Sequence, residues 1–136
     1  MSPRAAPVAA IFNTSPDTVE MLRIALSMAG VVSVSAYTFQ LRDGTVDISA
    51  FMEQLHPDVV VYDIAPPYDL NYQLFVHLRS TPGLRACPVL MTTTNARYVQ
   101  QLVGPDHHVY EVIGKPFDLD AIVQAVLEAA GNRQSG

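Results

Sequence analysis

Residues 57–63 read Pro57-Asp58-Val59-Val60-Val61-Tyr62-Asp63, an apolar run that ends on a carboxylate. The three consecutive valines are β-branched and show no polar alternation, which is typical of a strand buried on both faces in a parallel sheet covered by helices. The carboxyl edge of such a sheet is where open α/β folds place their ligand crevice. The sequence therefore predicts that Asp63 lies at the rim of a buried strand, in a position suited to chemistry.

The composition is that of one globular domain. The chain has 136 residues, of which 49% are apolar and 15% charged, and its formal net charge is −5; this length is enough to bury a core. The eight Lys and Arg residues are scattered, so we expect no direct contact with nucleic acid. No apolar run is long enough for a membrane span, and no signal pattern opens the chain. We therefore expect a cytoplasmic protein with a domain over residues 8–131 and loose termini at 1–7 and 132–136.

Five apolar runs alternate with five amphipathic segments along the chain. We predict strands over 8–12, 31–39, 59–63, 88–91 and 109–113, and helices over about 16–29, 46–55, 96–103 and 118–130, with a further helix from about residue 70 that ends near Thr81-Pro82-Gly83. Ser15 is a candidate N-cap with Pro16 in the first helical position, and Arg42-Asp43-Gly44 reads as a turn. Alternating strands and helices with right-handed crossovers favour an α/β fold: a doubly wound parallel sheet with helices on both faces. Two common strand orders of such sheets remain possible, and the flavodoxin-like order 2-1-3-4-5 suits five strands.

Three polar residues fall at the carboxyl ends of three predicted strands: Asp63, Thr93 and Lys115. An aspartate can attack a phosphoryl group as a nucleophile. A lysine ammonium can pair with phosphoryl oxygens, and a threonine hydroxyl can hydrogen-bond to one of them. Together the three residues form a set able to accept a phosphoryl group.

With this set in view, the sequence resembles the receiver domain of two-component response regulators over nearly its whole length. The matching segments are Asp63-Ile64-Ala65-Pro66-Pro67, Leu78-Arg79-Ser80-Thr81-Pro82, Pro88-Val89-Leu90-Met91-Thr92-Thr93 and Val112-Ile113-Gly114-Lys115-Pro116-Phe117. The resemblance implies a signal-transduction module of a phosphorelay, not an enzyme. It also implies that Asp63 accepts phosphate from a histidine kinase or a phosphotransfer protein, and that Thr93 and Lys115 contact that phosphate. A one-residue shift of the alignment would give the threonine role to Thr92 or Thr94.

One departure from the receiver pattern concerns the metal. Receivers end their first strand with consecutive acids that help to hold Mg²⁺, and here the neutral residues Asn13, Thr14 and Ser15 take those places. Mg²⁺ prefers carboxylate oxygens, and two unit charges about 4 Å apart interact by about 4 kcal/mol at an effective dielectric of 20. Asp63 is then the only obvious carboxylate ligand, with Asn13 and Thr14 in place of acids. We therefore expect weak Mg²⁺ binding.

Three hypotheses for the function follow. The first is an atypical receiver that acts through protein–protein contacts, with a protein partner or a second copy bound at the face of the fourth helix, fifth strand and fifth helix. The second is a working phosphoacceptor, phosphorylated on Asp63 by a histidine kinase. The third is a flavodoxin-like domain that binds a small ligand, although Asn13-Thr14-Ser15-Pro16 contains none of the glycines of a phosphate-binding loop.

Overall fold

Five parallel strands and seven helices make up the computed structural model, which describes residues 6–105, 109–115 and 118–135, the last four of these by their backbone alone. The motif residues Pro116 and Phe117 lie outside the described residues. The strands are β1 (Val8–Asn13), β2 (Val32–Tyr37), β3 (Val59–Ile64), β4 (Val89–Thr93) and β5 (Val109–Gly114). The helices are α1 (Pro16–Met28), α2 (Thr38–Asp43), α3 (Ile48–Leu55), α4 (Tyr68–Leu78), α5 (Pro82–Arg85), α6 (Ala96–Val103) and α7 (Leu119–Ser135).

The strand order is β2-β1-β3-β4-β5, with every pairing parallel. This confirms the predicted flavodoxin-like sheet. Strand β3 occupies the centre and is buried at all six positions, as its unbroken run of apolar residues requires of a strand with a helical layer on each side. In the part of the chain that the structure describes, no helix combines the length and the apolar character needed to cross a bilayer.

Side chains that alternate along the strands supply two separate hydrophobic cores. One core joins the even-numbered β3 residues Val60, Tyr62 and Ile64 to helices α2–α6. The other joins Val59 and Val61 to helices α1 and α7. Successive strand residues point to opposite faces of a sheet, so odd-numbered β3 residues, Asp63 included, belong to the α1/α7 face.

Helix α1 begins where the sequence predicts. The Ser15 side chain accepts a hydrogen bond from the Thr18 backbone N–H, and Pro16 opens the helix. The cap satisfies one of the N–H groups that the first turn leaves free. The chain therefore turns from β1 into α1 within two residues, which holds the end of β1 close to the sheet edge.

The prediction for residues 38–43 is wrong. We expected the strand to continue to residue 39 and a turn to follow at Arg42-Asp43-Gly44. Strand β2 ends at Tyr37, and Thr38–Asp43 forms helix α2. The Gln40 side chain accepts a hydrogen bond from the Tyr37 backbone N–H at 3.0 Å, and Leu41 is buried in the core. Packing of Leu41 and this cap outweigh the strand preference of the aromatic residues, because intrinsic β-propensity depends strongly on context.

Two further boundaries differ from the prediction. The third predicted helix, expected to end near residues 81–83, ends at Leu78, and Pro82–Arg85 form the separate helix α5, which buries Leu84. Helix α7 continues to Ser135, so residues 132–135, predicted as a loose terminus, are helical. Extending a formed helix adds one hydrogen bond for each residue fixed, and Gly131 opposes this by only about 1 kcal/mol.

At the N-terminal end of the described chain, the carbonyl of Pro7 accepts a hydrogen bond from Val32 N–H at 2.9 Å. This bond ties the last residue of the segment 1–7, predicted to be loose, to β2.

Tyr62 generates a prediction about stability. Its ring is buried between Phe12 and Phe75, its hydroxyl has no hydrogen-bond partner among the described residues, and burial raises the pKa of its phenol above the usual range. We expect Tyr62→Phe to raise the free energy of unfolding by about 1 kcal/mol at neutral pH, because a buried donor without a partner costs about that much.

The difference in free energy of unfolding between Tyr62→Phe and the unmodified protein should increase at high pH. The unfolded chain releases the phenolic proton near pH ~10, whereas the folded chain retains it, so the stability of the unmodified protein falls as the pH rises through that value. Urea unfolding of both proteins below and above this pH measures the difference, with the exposed Tyr110→Phe as control. A difference that does not change with pH would contradict the burial of a neutral Tyr62.

Candidate functional site

The residues predicted for the site meet at the carboxyl edge of the sheet. Asp63 of β3 pairs in register with Thr92 of β4, and Ile64 pairs with Thr93. Thr93 also pairs with Gly114 of β5, and Lys115 follows directly. The Lys115 N–H donates to the Thr93 carbonyl at 2.7 Å, which fixes the chain as it leaves β5.

Asp63 is buried, with 3% of its surface exposed. Its Oδ1 lies 2.7 Å from the Nζ of Lys115 and accepts a hydrogen bond from the Thr92 hydroxyl, also at 2.7 Å. The Lys115 side chain is 25% exposed, so its ammonium keeps some contact with water. A buried carboxylate persists only where a charge partner and hydrogen bonds replace its hydration, and Lys115 and Thr92 supply both.

Thr93, which the resemblance implies contacts a bound phosphate, bonds to backbone groups in this structure. Its hydroxyl donates to the carbonyl of Ile64 at 2.8 Å and receives the Asn95 N–H at 3.3 Å. Along β4, Val89 and Met91 belong to the core under α2–α6, so alternation places Thr93 on that face and Thr92 with Asp63. In this structure Thr92 therefore contacts the carboxylate; strand alternation applied to β4 is the sequence signal that identifies it. Contact between Thr93 and a bound phosphoryl group stays a prediction.

Asn13 ends β1 on the other side of Asp63. Phe12 pairs with Tyr62, so the next residues along, Asn13 and Asp63, stand side by side. Asn13 is 1% exposed, and its Oδ1 accepts the backbone N–H groups of Thr14 at 2.8 Å and Ser15 at 3.0 Å. Its Nδ2 is buried and has no hydrogen-bond partner among the described residues.

These groups do not fit Mg²⁺. The Asn13 amide oxygen is already bonded to the backbone, the Ser15 hydroxyl caps α1, and Oδ1 of Asp63 faces a lysine. Across the described part of the chain, no three His, Cys, Asp or Glu side chains come together in a group able to hold a metal ion. Mg²⁺ requires several oxygen ligands in octahedral geometry, which these side chains do not offer, and weak binding of Mg²⁺ stays a prediction.

Two tyrosines tie the neighbouring loops together. The Tyr68 hydroxyl lies 2.6 Å from the Thr94 hydroxyl, and this contact joins the segments that follow β3 and β4. The Tyr98 ring meets the Tyr68 ring edge-on at 5.9 Å, and its hydroxyl donates to Asp69, which raises the pKa of the Tyr98 phenol. No sequence pattern predicts this pairing, since it joins residues from two separate helices, α4 and α6.

The arrangement suits receipt of a negatively charged group at Asp63. A carboxylate oxygen is a nucleophile for phosphorus, and Lys115 with the Thr92 hydroxyl places positive charge and a donor beside it. Such fixed donors act strongly in a site with little water. The same contacts also neutralise Asp63 in the absence of any phosphoryl group.

Comparisons with known proteins agree on the fold. No family model matches the chain. A curated relative, the DNA-binding dual master transcriptional regulator RpaA of Synechocystis sp., is 26% identical over 116 residues, which are 85% of this chain and 46% of the relative. The chain thus spans about half the length of that protein.

Solved receiver structures superpose over nearly the whole chain. The CheY-like receiver domain protein of Methanospirillum hungatei JF-1 gives a TM-score of 0.74 at 13% identity and covers 96% of this chain and 98% of its own. The receiver domain of the Francisella response regulator 1452 gives 0.72 at 17% identity, with 93% and 98% covered. The chain has the receiver fold, which confirms at the level of fold the resemblance found in the sequence.

The pair between Asp63 and Lys115 should be measurable in unfolding. We expect Lys115→Met to lower the free energy of unfolding by about 3 kcal/mol, at the low end for a broken buried pair because Lys115 is partly exposed. Asp63→Asn should lower the free energy of unfolding by less, since the partly exposed Lys115 side chain can turn to solvent. The double variant should be more stable than Lys115→Met alone. Urea titration of the four proteins tests this, and a Lys115→Met protein as stable as the parent would contradict the pairing.

NMR of the Asp63 carboxylate should distinguish the roles of Thr92 and Thr93. Thr92→Val removes the hydroxyl bonded to Asp63, so we expect a clear change in the ¹³Cγ shift of Asp63 and a loss of about 2 kcal/mol, as for hydrogen bonds to charged groups. Thr93→Val, the matched control, should leave the Asp63 signal nearly unchanged because its hydroxyl contacts Ile64. The reverse pattern would show that the alignment, not strand alternation, identifies the partner of Asp63.

Proposed function

We propose that this chain, which has the receiver fold, is the receiver domain of a two-component signalling protein and acts through protein–protein contacts, not as an enzyme. The observation that carries the proposal is the buried Asp63 carboxylate, held 2.7 Å from Lys115 at the carboxyl edge of the sheet. That constellation on this fold is the one implied by the resemblance to response regulators. A histidine kinase or phosphotransfer protein is the corresponding upstream partner, in the cytoplasm.

Signalling by contacts is supported by the state of Asp63. The carboxylate is already compensated by Lys115 and Thr92, and the end of β1 lacks the acids that would bind Mg²⁺. The domain is therefore stable with Asp63 unmodified. Binding of a partner can change its output without any covalent step.

The proposed contact surface is the face of α6, β5 and α7. Strand β5 is an edge of the sheet, and its Tyr110 is 42% exposed. Tyr98 on α6, the helix that precedes β5 in the chain, is also exposed. Exposed aromatic residues are enriched in protein interfaces, and a second copy of the domain can present the same surface in a two-fold arrangement.

Self-association tests this surface. We expect sedimentation velocity to show concentration-dependent association of the intact chain, weakened about tenfold or more by Tyr110→Ser if Tyr110 is a central contact. Met28→Ser is the matched control: Met28 is 85% exposed but lies on α1, which packs against β1 and β2, and β2 is the opposite edge of the sheet from β5. A chain that stays monomeric, or an association indifferent to Tyr110, would rule out this face as a homodimer interface.

A second candidate is a working phosphoacceptor at Asp63. One specific observation favours it: the buried Nδ2 of Asn13 is a hydrogen-bond donor without a partner among the described residues, and it belongs to the residue that stands beside Asp63. Buried donors in native proteins almost always have an acceptor. An oxygen of a phosphoryl group on Asp63 would be one.

A further inference from the structure

We infer that the site at Asp63 holds a phosphoryl group without a divalent metal, and that the Asn13 side-chain N–H takes part in holding it. The inference rests on the phosphoacceptor form of the proposed function and concerns how that site is built. It follows from the hydrogen bonds of Asn13, from its burial, and from the kinds of groups around Asp63.

The orientation of the Asn13 amide is fixed. Its Oδ1 accepts two backbone N–H groups, from Thr14 at 2.8 Å and Ser15 at 3.0 Å. A reversed amide would set its NH₂ group against those two donors and lose both hydrogen bonds. The residue therefore offers a donor to its remaining surroundings, and its oxygen is not free to bind a cation.

Asn13, the residue that carries this N–H donor, lies on the same face of the sheet as Asp63. Ala9 and Ile11 of β1 lie in the core under α1 and α7, so alternation puts Asn13 on that face. Val61 and Leu90 lie in the same core. Asn13 and Asp63 are one step beyond the Phe12–Tyr62 pair, and neighbouring strands are about 4.8 Å apart.

The surroundings of Asp63 are therefore rich in donors. Thr92 donates to Asp63, Lys115 carries a positive charge beside it, and Asn13 adds an N–H that has no partner among the residues the structure describes. A cation would need oxygen ligands that these residues do not supply. Phosphoryl oxygens, by contrast, accept hydrogen bonds and pair with ammonium groups.

A phosphoryl group on Asp63 fits this site better than free phosphate. Next to free phosphate the Asp63 carboxylate would keep its negative charge and repel the anion. In the acyl phosphate a carboxylate oxygen has attacked the phosphorus of a donor such as acetyl phosphate. The bond from phosphorus to the donor oxygen has broken, and acetate has left with the electron pair. The carboxyl group then carries no charge of its own.

Beryllofluoride, which binds aspartate as a phosphoryl mimic, tests the inference directly. We expect amide and ¹⁹F NMR titrations of the intact chain to show saturable binding in EDTA, with an affinity within about threefold of that in millimolar Mg²⁺. Asp63→Asn should abolish binding of the mimic under both conditions. A parallel titration with inorganic phosphate distinguishes the source: phosphate that binds the parent chain in EDTA as tightly as beryllofluoride would overturn the assignment to Asp63-bound phosphoryl.

Asn13→Asp is the decisive variant. It keeps an oxygen to accept the Thr14 and Ser15 N–H groups and replaces only the donor with an acceptor. We expect its affinity for beryllofluoride in EDTA to fall about tenfold or more, and Mg²⁺ to restore it through the new carboxylate. Asn95→Asp is the matched control, because Asn95 is also a capping asparagine at this edge; its affinity should stay within about twofold of the parent.

The outcomes separate this inference from the function it rests on. Binding in EDTA that Asn13→Asp weakens supports the metal-free site. Binding that appears only with Mg²⁺ overturns the inference and leaves the phosphoacceptor function standing. The absence of binding under both conditions overturns both, while the proposal of signalling through protein contacts is unaffected.

Discussion

The structure of the site depends on the cost of burying the Asp63 carboxylate. A charge that is 3% exposed at the end of a central strand needs partners, because an unpaired buried charge costs several kcal/mol. Lys115 and Thr92 meet this need from the two strands on one side of β3. The ends of β4 and β5 are consequently aligned with that of β3, and the backbone bond from Lys115 to Thr93 holds them there.

Alternation along the strands then decides which polar residues can share the site. Asn13, Asp63 and Thr92 continue the rows of side chains that supply the core under α1 and α7. Thr93 continues the opposite row and bonds to the Ile64 carbonyl. A shift of one residue along β4 exchanges the two faces of the sheet, which is why the adjacent residues Thr92 and Thr93 have different contacts.

The neutral residue Asn13 at the end of β1 affects the hydrogen-bonding groups of the site and leaves the fold unchanged. Asn13 caps the turn into α1 with its amide oxygen and keeps its N–H in the interior. The receiver fold is retained, with TM-scores of 0.72 and 0.74 to solved receivers. Around Asp63, the side chains of Thr92, Lys115 and Asn13 offer hydrogen-bond donors.

The sequence by itself determined the buried β3 strand and the strand ends that carry Asp63 and Lys115, because these follow from uninterrupted apolar runs and from the rule that parallel strands end at one edge. The number of strands favoured one of two common sheet orders, and the strand pairings of the folded chain confirm that order. It did not determine helix α2 after Tyr37, since the cap by Gln40 and the burial of Leu41 outweigh local strand preference. Only the tertiary structure decided that Thr92 contacts Asp63 and that the Asn13 side-chain N–H has no hydrogen-bond partner in the described part of the chain. Both depend on the register between strands and on hydrogen bonds formed once the strands are paired, and local sequence preferences do not encode either one.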